Sequence, residues 1–137
     1  MEERDYLLRE IEKIGAIMSA IRQKIFGGKG NLVVTFETQM EIAKEMLLEE
    51  AKFEFDKFLE LNIEDSNEYI CSFNGFNVEN IELLAENIFQ IGLNDPSENS
   101  KKYFDKALQL YDLCNLKSKT YSFERNTNIQ KVKQYLM

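Results

Sequence analysis

The 137-residue chain contains 44% hydrophobic residues, carries a net charge of −7 and has no histidine. The absence of histidine excludes Ser-His-Asp and Cys-His catalytic pairs and the commonest zinc and di-iron ligand sets, so carboxylate-dependent catalysis remains open while most other catalysis does not. Residues 31–98 carry a net charge of −13 and residues 99–137 a net charge of +5. An acidic body lacks the basic surface that nucleic acid requires, and we expect the basic segment to fold back on the acidic middle.

The length fits one domain that buries about 68% of its unfolded surface. We therefore expect a single helical domain over residues 1–137, with a first helix (1–27), an acidic helical middle (31–76) and a helix pair followed by a C-terminal helix (77–137). The two cysteines, Cys71 and Cys114, form either one disulfide or two reduced thiols of a cytosolic protein. No apolar run approaches the ~20 residues of a membrane span, and the acidic N-terminus does not resemble a secretory signal, so we expect a cytoplasmic protein without membrane contact.

The first helix is predicted from about Glu3 to Phe26. Small residues at Gly15 and Ser19, with Ala16 and Ala20 beside them, would let another helix approach closely. Gly27-Gly28-Lys29-Gly30 ends the helix as a mobile link and lacks the spacing of a nucleotide-binding loop. The apolar positions follow an alternating four- and three-residue step, which is typical of a core-facing bundle helix and also of a homodimer seam. These candidate interface residues are Leu7, Ile11, Ile14, Met18, Ile21 and Ile25.

The second helix is predicted from a capping box at Thr38–Glu41 through to Leu61. The residues before it, 32–36, fit a short strand, an extended lead-in or an early helical turn. Glu41, Glu45 and Glu49 form an acidic row at i, i+4 spacing. The row is the best candidate for metal or carboxylate chemistry, but it also has the pattern of a solvated helix face, which we expect it to be.

Further along the chain, Asp65 is predicted to cap a short helix that reaches about Phe73. Aromatic residues around the Asn74-Gly75 loop, namely Tyr69, Phe73 and Phe76, either cap the core or form a small pocket. The region from Asn77 to Leu116 is predicted to form two antiparallel helices: the first ends at Gly92, and the second starts with Asp95 as its cap and Pro96 in its first position. Thr120 or Ser122 is predicted to cap a last helix that ends near Tyr135.

Leu84-Ala85, Ile88 and Gly92, followed by Phe104 and Ala107-Leu108, resemble a tetratricopeptide repeat, which packs a small residue of its first helix against an aromatic residue and an alanine of its second. The order of parts, beginning with Asp5-Tyr6-Leu7-Leu8-Arg9-Glu10-Ile11, is similar to that of a group of small uncharacterised bacterial all-helical proteins. The resemblance implies a repeat-like helix pair, and the group brings no activity with it.

The sequence therefore predicts an all-α fold, a compact bundle of about five to six helices containing a tetratricopeptide-like antiparallel pair. The function we expect is that of a non-catalytic protein-interaction module without cofactor or metal. Part of the acidic middle would line its groove and favour a protein or peptide partner with basic residues. The alternative is a self-associating structural protein that dimerises through the first helix. An enzyme that uses Glu41, Glu45 or Glu49 is the remaining class.

Overall fold

The computed structural model describes residues 2–26, 35–95 and 97–137, without the side chains of residues 2, 25 and 26. These residues form helices and no strand, which confirms the all-α prediction. There are seven helices in this part of the chain, where about five to six were predicted. They are α1 (Glu2–Phe26), α2 (Phe36–Ala51), α3 (Phe55–Glu60), α4 (Ile63–Cys71), α5 (Val78–Asn94), α6 (Ser100–Lys117) and α7 (Phe123–Leu136).

The predicted second helix is wrong beyond residue 51, because the chain breaks there. Lys52 adopts a left-handed conformation with φ of 59°, and its backbone N–H donates to carbonyl oxygens of the last turn of α2. A separate α3 begins at Phe55, and the turn between the helices carries Phe53 into the core, where it is fully buried. Burial of this ring explains why the chain turns at a lysine, a residue type that rarely adopts positive φ.

Two predicted caps lie three residues too late. The oxygen of Thr35 accepts from the backbone N–H of Thr38, so Thr35 and not Thr38 caps α2. In the same way Asn62, and not Asp65, caps α4. The predicted starts at Asn77 and Ser122 are confirmed, since each side chain accepts from the amide three residues on.

The connection between α5 and α6 also differs from the prediction. Asp95 ends α5 and accepts from the backbone N–H and the hydroxyl of Ser97, so it does not cap α6. Gly92 does not stop α5 but lies inside it, at a point where a Cβ would lie 2.8 Å from the ring of Phe104. The missing side chain therefore lets α6 approach α5 closely. The predicted position of Pro96, like the Gly27–Gly30 link and residues 32–34, lies outside the described residues.

Helices α5, α6 and α7 form an up-down-up arrangement. Val78 at the start of α5 lies beside Cys114 near the end of α6, with the thiol 3.6 Å from the carbonyl oxygen of Val78. In α7, Arg125 contacts Glu82 and Tyr135 packs on the ring of Phe89. Later residues of α7 therefore contact later residues of α5, so these two helices are parallel to each other. Helix α6 is antiparallel to both.

Two asparagines of α5 hold α1 in place. The amide nitrogen of Asn80 donates to the carbonyl oxygens of Ile11 and Gly75, both at 2.8 Å, and that of Asn87 donates to the carbonyl oxygen of Met18 at 3.1 Å. Both helices advance by seven residues between these contacts, so α1 runs parallel to α5. At Gly15 a Cβ would lie 3.2 Å from the Asn80 side-chain oxygen, which makes this the point of close helix approach.

Apolar side chains from all seven helices meet in one hydrophobic core. The predicted aromatic cluster is part of it: Phe53 lies at its centre, with the rings of Phe58, Tyr69, Phe73 and Phe76 at centroid distances of 5.2 to 5.7 Å. The hydroxyl of Tyr69 accepts from the backbone N–H of Glu54. The core-cap interpretation of these aromatics therefore holds.

The basic C-terminal segment does fold back on the acidic middle. Lys102 lies 3.0 Å from Glu60, and Arg125 lies 2.6 Å from Glu82. Lys106 is buried over the ring of Phe58 and donates to a carbonyl oxygen at the end of α3. In the described part of the chain, no helix is long and apolar enough to cross a membrane.

Candidate functional site

The candidate interface residues of α1 lie mostly in the core. Ile14, Met18 and Ile21 are buried against the rest of the chain, Ile11 is half-buried, and Leu7 is 42% exposed. The side chain of Ile25 lies outside the described residues. The centre of the seam therefore faces the core of its own chain while α1 keeps this position, and self-association through the first helix stays a prediction.

The acidic row Glu41, Glu45 and Glu49 is exposed along α2. Lys44, which lies between the first two members of the row in sequence, pairs with Asp56 of α3 at 3.1 Å. Nowhere in residues 2–26, 35–95 and 97–137 do three or more acidic or cysteine side chains come together in a group that could hold a metal ion. The row thus has the solvent exposure of an ordinary helix face.

A groove runs along α5 between α1 and α7. It consists of two adjoining cavities of about 480 and 340 Å³, which share Arg22, Asn87 and Gln90. Helix α5 forms the floor, α1 contributes to both cavities and forms one wall, and α7 forms the other wall at the smaller cavity only. We call it the α5 groove; its other lining residues are Met18, Ser19, Gln23, Leu83, Glu86, Phe89, Tyr111, Glu124, Asn128 and Lys131.

Each wall of the α5 groove is fixed by polar contacts to its neighbours. Asn80 and Asn87 hold α1, as described above. On the other side, the side chain of Arg125 is 6% exposed; its Nε donates to Glu82 at 2.6 Å and its Nη1 donates to the side-chain oxygen of Asn115 at 3.1 Å. A buried charge is tolerated when it is paired and hydrogen-bonded in this way. The groove is therefore preformed in the folded chain.

Charges in the α5 groove differ from those expected. Its lining contains the carboxylates of Glu86 and Glu124 and the cations of Arg22 and Lys131. No residue of the acidic middle, 31–76, lines these two cavities in the described part of the chain, and the lining as a whole is balanced rather than acidic.

Burial shapes the chemistry at the α6 side of the groove. Desolvation raises the pKa of Glu86, which Arg22 partly offsets at 3.7 Å. Desolvation also raises the pKa of Tyr111, with further increases from the carboxylates of Glu86, Glu82 and Glu124. The phenol therefore stays protonated at neutral pH, with its hydroxyl near these carboxylates.

The two cysteines are both free, which matches the reduced-thiol interpretation. Cys114 is buried, and burial raises its pKa to about 12. A thiol in that state is a packing group rather than a nucleophile, because reaction requires the thiolate.

Sequence reasoning missed the α5 groove and its central residues. One signal was present: Asn80 and Asn87 are polar residues seven apart within an otherwise apolar face of α5, and they mark where α1 docks. For Tyr111 no signal was available, because its position fits the apolar stripe of α6 as any core aromatic would.

The chain matches no protein-family profile, and neither curated proteins nor solved structures give a significant match to it. Function is therefore inferred from the fold and from the geometry of the α5 groove.

Proposed function

We propose that this protein is a non-catalytic interaction module that binds a segment of a partner protein in the α5 groove. The observation that carries the proposal is the groove itself, in which two adjoining cavities lie along α5 between α1 and α7. Helical repeat-like proteins bind peptides along surfaces of this kind, where one face of a helix is left uncovered between neighbours.

The packing of α5 on α6 supports this proposal. The two helices are antiparallel, and Gly92 of α5 faces Phe104 of α6, a small residue against an aromatic one as in a tetratricopeptide pair. We include that likeness in the proposal: α5 and α6 act as one repeat-like unit, and α1 and α7 cover its two sides.

The dimensions of the groove also fit a peptide segment. Each cavity, at about 480 and 340 Å³, lies in the size range of small-ligand pockets. Its lining contains polar side chains such as Gln90 and Asn128 and apolar ones such as Leu83 and Phe89. A segment with mixed side chains would find hydrogen-bond partners and apolar contact along one line.

Site-specific photo-crosslinking tests the proposal. A photoreactive amino acid replaces Gln90 in the full chain expressed in its native host, and the same amino acid replaces the exposed Glu49 of α2 as the matched control. We expect a discrete adduct with one other protein at position 90 and none at position 49. The same adducts at both positions, or none at position 90, would contradict binding in the groove.

Self-association is the second candidate, and it rests on the exposed N-terminal end of α1, where Leu7 begins the predicted seam. Tyr6, Leu7 and Leu8 are about half exposed, and Tyr6 and Leu7 border a cavity of about 470 Å³ near Asn74. Light scattering on a sizing column tests it. A dimer that becomes monomeric in Leu7→Glu, but not in Leu116→Glu at another exposed leucine, would support the second candidate, and a monomeric wild-type chain would reject it.

A further inference from the structure

One end of the α5 groove contains a buried tyrosine side chain whose hydroxyl opens onto the cavity and has no hydrogen-bond partner among the described residues. Tyr111 is 1% exposed, and it lines the 340 Å³ cavity. Within the described part of the chain, its hydroxyl makes no hydrogen bond. Buried tyrosine hydroxyls usually have a hydrogen-bond partner. An unpartnered hydroxyl that lines a cavity indicates a place for a polar atom of a ligand.

Two carboxylates line the same cavity and are weakly compensated. Glu86 pairs with Arg22 at 3.7 Å, which is beyond hydrogen-bond distance, and the Arg22 side chain is 64% exposed. Glu124 has no ion pair within 4.0 Å among the described residues. The nearby Glu82 is already neutralised by Arg125 at 2.6 Å. Negative charge is therefore in excess around the Tyr111 hydroxyl.

The cations of the groove do not cancel that excess. Lys131 follows Glu124 by seven residues, which separates them by about 10 Å along the axis of α7. Arg22 reaches Glu86 from the solvent side, since most of its side chain is exposed. A cation bound in the cavity would lie beside Glu86 and Glu124, and it could displace Arg22 at little cost because an exposed, long ion pair contributes little.

We propose that the pocket formed by Tyr111, Glu86, Glu124 and Phe89, the Tyr111 pocket, binds the ammonium or guanidinium group of a lysine or arginine side chain of the partner segment. This inference rests on the proposed function and names the chemistry of the partner. The bound cation donates to both carboxylates and to the phenol oxygen of Tyr111, and its aliphatic stem packs on the half-buried ring of Phe89.

A cation explains the observations better than an anion or a neutral group. An anion would face two carboxylates, whereas a neutral donor would leave their charges uncompensated in a partly desolvated site. Burial raises the pKa of Glu86, so the carboxylate is held there against a desolvation cost. A partner cation relieves that cost, and the Tyr111 oxygen gains the hydrogen bond that it lacks.

Peptide binding to the full folded chain tests the Tyr111 pocket. The probe is a blocked pentapeptide with one central lysine among glycine and serine residues, and the control peptide has norleucine in place of the lysine. Binding is followed by amide and side-chain NMR shifts. We expect the lysine peptide to bind at least tenfold more tightly than the norleucine peptide and to shift signals of α5, α6 and α7 around the pocket.

Matched variants separate the pocket from the general negative charge of the protein. Tyr111→Phe and Glu124→Gln should each weaken lysine-peptide binding several-fold. Tyr121→Phe and Glu49→Gln remove the same groups at exposed positions outside the groove and should leave it unchanged. Spermidine serves as the free-polyamine probe and should bind more weakly than the peptide.

Several results would overturn the inference. Equal binding of the lysine and norleucine peptides, equal losses in the exposed control variants, or shifts confined to another surface would each reject a cation pocket at Tyr111. Tighter binding of spermidine than of the peptide would reject a polypeptide source. If crosslinking at position 90 captures a partner but the lysine peptide does not bind, only this inference fails. If the peptide binds but no partner is captured, the proposed function fails and the pocket stands.

Discussion

Replacement of Asn80 by alanine should release α1 from α5. The substitution removes two hydrogen bonds of 2.8 Å, a partly buried one to the carbonyl oxygen of Ile11 and a buried one to that of Gly75. Each such bond contributes about 0.5–1.5 kcal/mol, and the Gly75 oxygen is left without this donor, so we expect a loss of about 2 kcal/mol in the free energy of unfolding. At about 2.1 cal/mol/K per residue, this loss lowers the melting temperature of a 137-residue chain by roughly 7 °C.

Urea unfolding followed by circular dichroism measures the effect as a lower midpoint at unchanged slope. Asn94→Ala is the matched control: this exposed side chain makes one local bond to the carbonyl oxygen of Gln90, and its removal should change stability by less than about 0.5 kcal/mol. If Asn80→Ala were no less stable than Asn94→Ala, these amide hydrogen bonds would not hold α1 in place. The claim that they fix the α1 wall of the α5 groove would then also be wrong.

Three further predictions concern the buried polar groups. Arg125→Met leaves Glu82 without its partner and should lower the free energy of unfolding by about 3 kcal/mol. Lys102→Met, which breaks an exposed ion pair, should lower it by less than about 1 kcal/mol. Equal effects of the two substitutions in thermal unfolding would contradict the buried pair. Tyr111→Phe removes a hydroxyl without a partner, so its unfolding free energy should stay within about 0.5 kcal/mol of wild type, and a loss above about 1 kcal/mol would reveal a hydrogen bond. Because burial raises the pKa of Cys114 from 9.0 to about 12, its contribution to stability is complete below pH 9 and is lost as the pH rises toward 12, by up to about 1.4 kcal/mol per pH unit. Urea unfolding between pH 8 and pH 10.5 checks it, and Cys114→Ala should show a smaller slope; identical slopes would refute it.

The long helices were predictable because their apolar residues repeat at helical spacing over many turns. Both α1 and α5 carry such stripes, and the cap of α5 is Asn77, as predicted, while that of α7 is Ser122, one of the two predicted candidates. The break at Lys52 was not predictable from local pattern, since the stripe of α2 continues past it into α3. Tertiary burial of Phe53 decides the turn there, and only the folded core contains that information.

The predicted N-caps of α2 and α4 were wrong for a different reason. Segments such as 35–38 and 62–66 contain more than one residue that can accept from a free backbone amide, so the local sequence permits two starts. Which residue caps depends on the direction in which the preceding chain arrives. The α5 groove is less predictable still, because Arg22, Tyr111 and Glu124 come from three helices that meet only after α1 and α7 have docked.

The docking of α1 also connects the two candidate functions. An exchange of α1 between two copies would keep the contacts of Asn80 and Asn87 and would rebuild the α5 groove with Arg22 supplied by the second chain. A chain that lacks residues 1–26 should therefore lose its fold, not merely a dimer contact, because Ile14, Met18 and Ile21 complete the core. Circular dichroism and light scattering on the truncated chain decide this: a folded monomer would show that α1 is dispensable, and the α5 groove would then have only one wall.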